Sequence, residues 1–340
     1  VYGMEGTNRN PEPVPGALVA GTMANMGLAI LFSVALVVII VVGTIELISR
    51  MLHPQRKTYA CMLANGCPAD PSELGLTADE VRFVTGDGSI SPGWLIEGFK
   101  PDGPDIVVTH GWNSSRYTAL PKAALLARFA RRVVVYDMRG HGDATSPITH
   151  LGMTEHDDLR LVLEQLPPGG GQPLVLYGSS MGAGISVVAA AGNGRNPPAP
   201  VVGLILEGMY QYLMEPIVGH LRNHRLPSQP FAALACGYMG LRFGRVGGFD
   251  RAEHMKRLGC PLLLLHGTND RVCKIESARQ ICDKAAQAEL VEFEGADHGN
   301  LALYDEARYV EAIERFVQRI GHRTTVGHQL PSDVTMTPCG

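Results

Sequence analysis

The chain has 340 residues, 45% of them hydrophobic and 18% charged, enough apolar material for a large core and too much for wholesale disorder. A net charge of −4 gives no electrostatic case for nucleic acid. Seven scattered cysteines without a C-x-x-C pair point to free thiols rather than a zinc ribbon or a disulfide framework.

In chain order, the first feature is an apolar run. No charged residue falls between Glu12 and Glu46, and residues 27–45 read GLAILFSVALVVIIVVGTI. As a helix that run rises roughly 28 Å, about the hydrocarbon thickness of a bilayer. A buried core helix rarely stays apolar on every face over such a length. A cleaved signal peptide would carry a basic cluster ahead of a shorter run. The segment is therefore read as a retained single-pass anchor at 24–49, behind a polar segment at 1–23. Arg50, Arg56 and Lys57 follow it and only Arg9 precedes it, so the positive-inside rule favours a cytoplasmic C-terminal part.

Residues 50–71 read as a polar linker. From residue 72 strands alternate with helices. Segments 81–85 and 94–99 flank a Gly-Asp-Gly turn and predict an antiparallel pair. Further strands are expected at 106–109, 133–136, 174–177, 202–206, 262–265 and 289–293. Helices are expected at 118–131, 154–166 with Thr154 as N-cap, 183–191, 276–287 and 306–320. The expected fold is α/β, a mainly parallel sheet of about eight strands with helices on both faces. Residues 210–257 break the rhythm as a lid-like insertion. Its basic residues, Arg242, Arg245, Arg251, Lys256 and Arg257, suggest a solvated face. The tail at 321–340 is polar, aperiodic and expected to be unstructured.

Chemistry is expected beyond the carboxyl ends of the strands. The stretch LVLYGSSMGAG carries G-x-S-x-G between a strand and a helix. A serine at so sharp a turn needs very small residues two before and two after it. Ser180 has Gly178 and Gly182 there, whereas Ser179 has Tyr177 and Met181, so Ser180 is the candidate nucleophile. Neither a phosphate loop nor a dinucleotide fingerprint is present. The backbone N–H groups of Trp112, after the strand ending in Thr109-His110-Gly111, and of Met181 are candidates for an oxyanion hole. Asp270 and His298 follow the last two strands, so Ser180, Asp270 and His298 occur in the order a serine–acid–histidine triad takes in such sheets. Glu207 is an alternative acid and His110 an alternative base. His220 and His224 lack the glutamate of a metalloprotease helix, and neither a metal nor another cofactor is expected.

These pieces together resemble the α/β-hydrolase superfamily, in particular N-terminally extended, membrane-anchored serine hydrolases and the serine-aminopeptidase-like group. The residues that carry the resemblance are DEVRFVTGDGSISPGWLIEGF, VVTHGW, VVVYDMRGHGDA, GMTEHDDL, YGSSMGAG, LLLLHGTNDRV and EGADHGN, which in order cover about residues 72–320. The resemblance implies that Arg139 and His141, in D-x-R-G-H-G, are structural loop residues. It also implies cleavage of an ester, thioester or amide through an acyl-enzyme on Ser180. Esters, including lipid-derived ones, are favoured because the anchor holds the protein at a membrane. A serine peptidase is the alternative within enzymes, and a non-catalytic interaction protein on the same scaffold is the alternative outside them.

Overall fold

The computed structural model describes residues 15–167, 172–192, 200–243, 250–285, 287–299 and 301–326. It opens with helix α1, Pro15–Leu52, longer at both ends than the expected anchor. Within Asn25–Leu52 an 18-residue window has a mean hydropathy of 3.0 and none of it is buried. Two short elements follow where a plain linker was expected, α2 (Tyr59–Ala64) and a 3-10 turn at Pro71–Leu74. Each has a local cause: Thr58 caps the first, and Asp70 with Pro71 starts the second.

The strands are β1 (Ala78–Val84), β2 (Ile90–Glu97), β3 (Asp105–Thr109), β4 (Arg132–Tyr136), β5 (Leu174–Ser179), β6 (Val201–Glu207), β7 (Leu262–Gly267) and β8 (Ala288–Phe293). They form one eight-stranded sheet in the order β1-β2-β4-β3-β5-β6-β7-β8. The strand β2 runs antiparallel to both β1 and β4, and every other pairing is parallel. The central strands are buried on both sides, as their unbroken apolar runs require.

Alternation sends neighbouring side chains into two separate cores. Val107, Val134 and Leu176 face helices α4 (Glu155–Gln165) and α5 (Met181–Ala190) through Leu159, Val162 and Ile185. Ile106, Val135 and Tyr177 face α3 (Arg116–Ala127) and α11 (Glu306–Val326) through Leu120, Ile313 and Phe316. The helix α11 continues six residues past the expected end at Ile320, and the remainder of the polar tail, 327–340, lies outside the described residues.

The insertion contains α6 (Met214–Asn223), α7 (Phe231–Arg242) and α8 (Arg251–Met255); α9 (Ile275–Lys284) follows β7, and α10 (Leu301–Tyr304) precedes α11. The solvated basic face expected of the insertion fails at Arg251, which is fully buried with its guanidinium 4.5 Å from the Tyr210 ring centroid. The missing side chain of Gly184 leaves the space that this guanidinium fills. Arg245 lies outside the described residues.

The lower end of α1 is docked, not loose. Thr44 and Met51 are buried, the Trp112 indole donates to the Met51 carbonyl at 3.0 Å, and the Thr149 N–H donates to the Leu52 carbonyl at 3.0 Å. Arg56, read from sequence only as a flanking charge, donates to the carbonyls of Ala144 (2.6 Å) and Ser146.

Candidate active site

Ser180 caps α5 with φ +52° and ψ −113°, a conformation L-residues rarely hold. Packing enforces it. A Cβ at Gly178 would lie 2.5 Å from the Ala183 Cα, and one at Gly182 would lie 2.1 Å from the Thr109 carbonyl oxygen. The start of α5 therefore sits directly against β3, and the Ser180 N–H is tied to the Glu207 carbonyl at 2.7 Å.

The turns after β7 and β8 bring the other two predicted residues to this serine. His298 Nε2 lies 3.0 Å from Ser180 Oγ, and His298 Nδ1 lies 2.7 Å from Asp270 Oδ2. The second carboxylate oxygen of Asp270 accepts the N–H groups of Val272 and Cys273, both at 2.8 Å. Burial alone would raise the Asp270 pKa, but hydrogen bonds from His266 and His298 outweigh it and hold the carboxyl well below the usual range. The neighbouring Asp297 is turned away and accepts the N–H of His298 at 2.8 Å.

Two partners of this set were not read from the sequence. His266, the penultimate residue of β7, is buried with Nε2 2.8 Å from the Cys273 carbonyl and 3.3 Å from Asp270 Oδ2. Its signal was present: a histidine closing an otherwise apolar strand, four residues before the acid. Gly208 is the other, at φ +61°, where a Cβ would come 3.0 Å from His298 Cε1. The imidazole thus packs closely on the Gly208 backbone.

The alternative candidates are engaged elsewhere. Glu207 turns to a buried cluster with Lys122 Nζ (2.7 Å), Tyr177 OH (2.6 Å) and Tyr309 OH (2.7 Å). Burial raises its pKa, yet the Lys122 ammonium and the two phenols bring it below the ordinary value. His110 donates Nδ1–H to the Gly111 carbonyl and accepts the Met138 N–H on Nε2 at 3.1 Å. The loop it begins runs beside Ser180, a Gly111 Cβ lying 3.4 Å from the Ser180 Cβ. Trp112 follows, its ring centroid 5.5 Å from that of His220 on α6. Arg139 is bound bidentately by Asp158 (2.6 and 3.0 Å), and the buried His141 is held by the Arg139 carbonyl.

A cleft of about 1200 Å³ runs between α6, α7 and the Asp270 turn, with Leu213, Met214, Val218 and Arg222 in its walls; Ser180 and His298 do not line it.

The two histidines packed near β3 and β4 give an expected pH response. Burial lowers His110 to about 3, helped by neighbouring His141, and lowers His141 to about 4. Both stay neutral when folded but gain a proton on unfolding below about pH 6.5, so they stabilise fully above that value and lose this stabilisation as pH falls. Asp137, raised by burial to about 6, works in the opposite sense between that value and the ordinary carboxylate pKa. Two lowered histidines outweigh one raised carboxyl, and His150 and His220, also lowered by desolvation, act in the same sense as the two histidines, so stability should fall as the pH drops from 6 to 4. Denaturation midpoints should fall over that interval; equal midpoints at pH 4.5 and 6.5 would contradict this account.

A sheet in this order, with a serine strained at the turn after β5 and a histidine and acid at the ends of β8 and β7, is the architecture of the α/β hydrolases. The alpha/beta hydrolase family matches residues 106–313, and the chain belongs to that family. Among curated relatives, the lysophosphatidylserine lipase ABHD12 of Danio rerio is 28% identical over 204 residues, 57% of this chain and 50% of that protein. The chain thus spans about half the length of the curated lipases it matches. An esterase from Pyrococcus furiosus superposes with a TM-score of 0.63 at 19% identity, covering 79% of this chain and 98% of the esterase. A bacterial membrane phospholipase A superposes at 0.56 with 18% identity, covering 88% and 99%. At these identities the two structures speak to the fold alone.

Proposed function

We propose that the protein is a membrane-anchored serine hydrolase that cleaves carboxylic esters, with lipid-derived acyl esters as its substrate class, through an acyl-enzyme on Ser180. The observation that carries this reading is the continuous contact from Ser180 Oγ through His298 to Asp270, at 3.0 and 2.7 Å. With Nδ1–H given to Asp270, Nε2 presents a lone pair to the hydroxyl and takes its proton as Oγ attacks the carbonyl carbon. Negative charge moving onto the carbonyl oxygen would be held by the backbone N–H groups of Met181 and Trp112. The imidazolium, stabilised by ionised Asp270, then protonates the departing alcohol. Water enters, loses a proton to Nε2, attacks the acyl carbon and frees Ser180 with the acid.

Helix α1 supports the membrane part of the proposal, and the lysophosphatidylserine lipases among the relatives support a lipid ester. The organisation we assign is an anchor at 24–49 and a hydrolase domain at 72–320 with a lid-like insertion at 210–257. By the positive-inside rule, Arg50, Arg56 and Lys57 after the span, against Arg9 before it, favour the cytoplasmic face for that domain.

A fluorophosphonate probe applied to membranes carrying the full chain tests the chemistry. Wild type should label and Ser180→Ala should not. Equal labelling of the two, or none of wild type, removes the acyl-enzyme reading. A series of lysophospholipids and short-chain esters, compared by kcat/KM, would then define the leaving group and acyl length.

A further inference from the structure

Taking α1 as the membrane span proposed above, we infer that the outer face of α7 lies in the interface of the same bilayer, so that lipid is the partner of the stripe Leu234, Tyr238 and Leu241. The depth marker is Gly43. The apolar run of α1 ends at Ile45 and the first charge is Glu46, so residues packed against Gly43 and Thr44 sit at the edge of the hydrocarbon. What packs there is Phe231, the first residue of α7: a Cβ on Gly43 would lie 2.6 Å from its ring, and Thr44 is buried.

From that point α7 has two distinct faces. Ala232, Ala235 and Met239 are fully buried against the body of the protein. Leu234, Tyr238 and Leu241, spaced i, i+4, i+7, are 46, 43 and 73% exposed, and exposed Arg242 ends the helix. An apolar stripe with a tyrosine in its middle and an arginine at its end is the composition of a helix lying in a membrane interface. Left in water, two leucines and a tyrosine in one row would be a standing cost.

The surface also sits on the side of the molecule where the chemistry is. Below Gly43 the same helix reaches Met51, whose carbonyl takes the Trp112 indole N–H, and the Gly111–Trp112 loop borders Ser180. A lipid reaching the serine therefore need not cross bulk water. The candidate portal lies between the end of α1, α7 and the loop bearing Trp112.

The test uses the full chain in phosphatidylcholine vesicles containing brominated acyl chains, which quench tryptophan on contact. Leu36→Trp reports the span, Leu241→Trp reports α7, and Phe99→Trp is the water-side control. Phe99 is 64% exposed and follows β2 at the sheet end opposite the serine. Quenching of the added tryptophan at positions 36 and 241, but not at 99, supports the inference. Quenching at 36 with none at 241 overturns it and leaves the anchor standing. No quenching at 36 removes the anchor reading and this inference with it. A kinetic readout accompanies this. The double variant Leu234→Ser, Leu241→Ser should lose at least about tenfold in kcat/KM on a vesicle-embedded long-chain ester, a lower bound for two leucines only partly inserted. Its activity on a water-soluble short-chain ester should be unchanged. Equal losses on both substrates would overturn the membrane role.

Discussion

Asp270→Asn is expected to lower kcat by about 10⁴-fold with little change in melting temperature, because an amide leaves His298 without the acceptor that fixes its tautomer. The carboxylate now accepts His298 Nδ1–H at 2.7 Å, with two backbone N–H groups at 2.8 Å on its other oxygen. An asparagine amide would present N–H toward one of those partners, so Nε2 would more often carry the proton it must lack. Glu207→Gln should behave in the reverse manner. It breaks a buried pair with Lys122 that is 2.7 Å long, which costs about 3–5 kcal/mol of stability. The turnover of the folded fraction should stay within about threefold of wild type. Measuring kcat alongside thermal unfolding for the two variants decides the acid. A variant of Glu207 that folds normally but is inactive would reverse the assignment.

Gly182→Ala is expected to be the most damaging single-methyl change near the site. The new Cβ would stand 2.1 Å from the Thr109 carbonyl oxygen and 2.5 Å from that of His110, and neither can yield as a flexible side chain could. The helix α5 must back away from β3, at a cost of about 3 kcal/mol. The same displacement carries Ser180 Oγ away from His298 Nε2. Loss of fluorophosphonate labelling should therefore accompany a fall of several degrees in melting temperature. A stable, fully labelled variant would mean that the contact between α5 and β3 does not set the position of the serine.

Much of this was legible in one dimension. Runs such as IVV, VVVY and LLLL are apolar at every position, as strands covered on both faces require, and each lies within an observed strand. The glycines around Ser180 were legible because a strained turn excludes Cβ atoms by sterics, a local constraint. Element ends were less so. The α11 helix runs on through Gly321 and His322, weak helix formers that no proline or turn motif interrupts.

Sequence alone therefore determined what depends on neighbours along the chain: the apolar span, the alternation that makes a two-faced sheet, and the choice of Ser180 over Ser179. It also set Asp270 and His298 at the ends of successive strands. Tertiary structure decided what depends on direction in space. Glu207 and Asp270 are both acids at strand ends, yet one points into a buried cage of Lys122, Tyr177 and Tyr309 and the other toward His298. Arg251, set among basic residues that read as a solvated face, is enclosed by the fold, and His266 joins Asp270 only because β7 ends in a tight turn. The contact of Gly43 with Phe231 joins residues far apart in the chain. No periodicity encodes such meetings, because a side chain's partners are set by how elements pack and not by the order in which they are written.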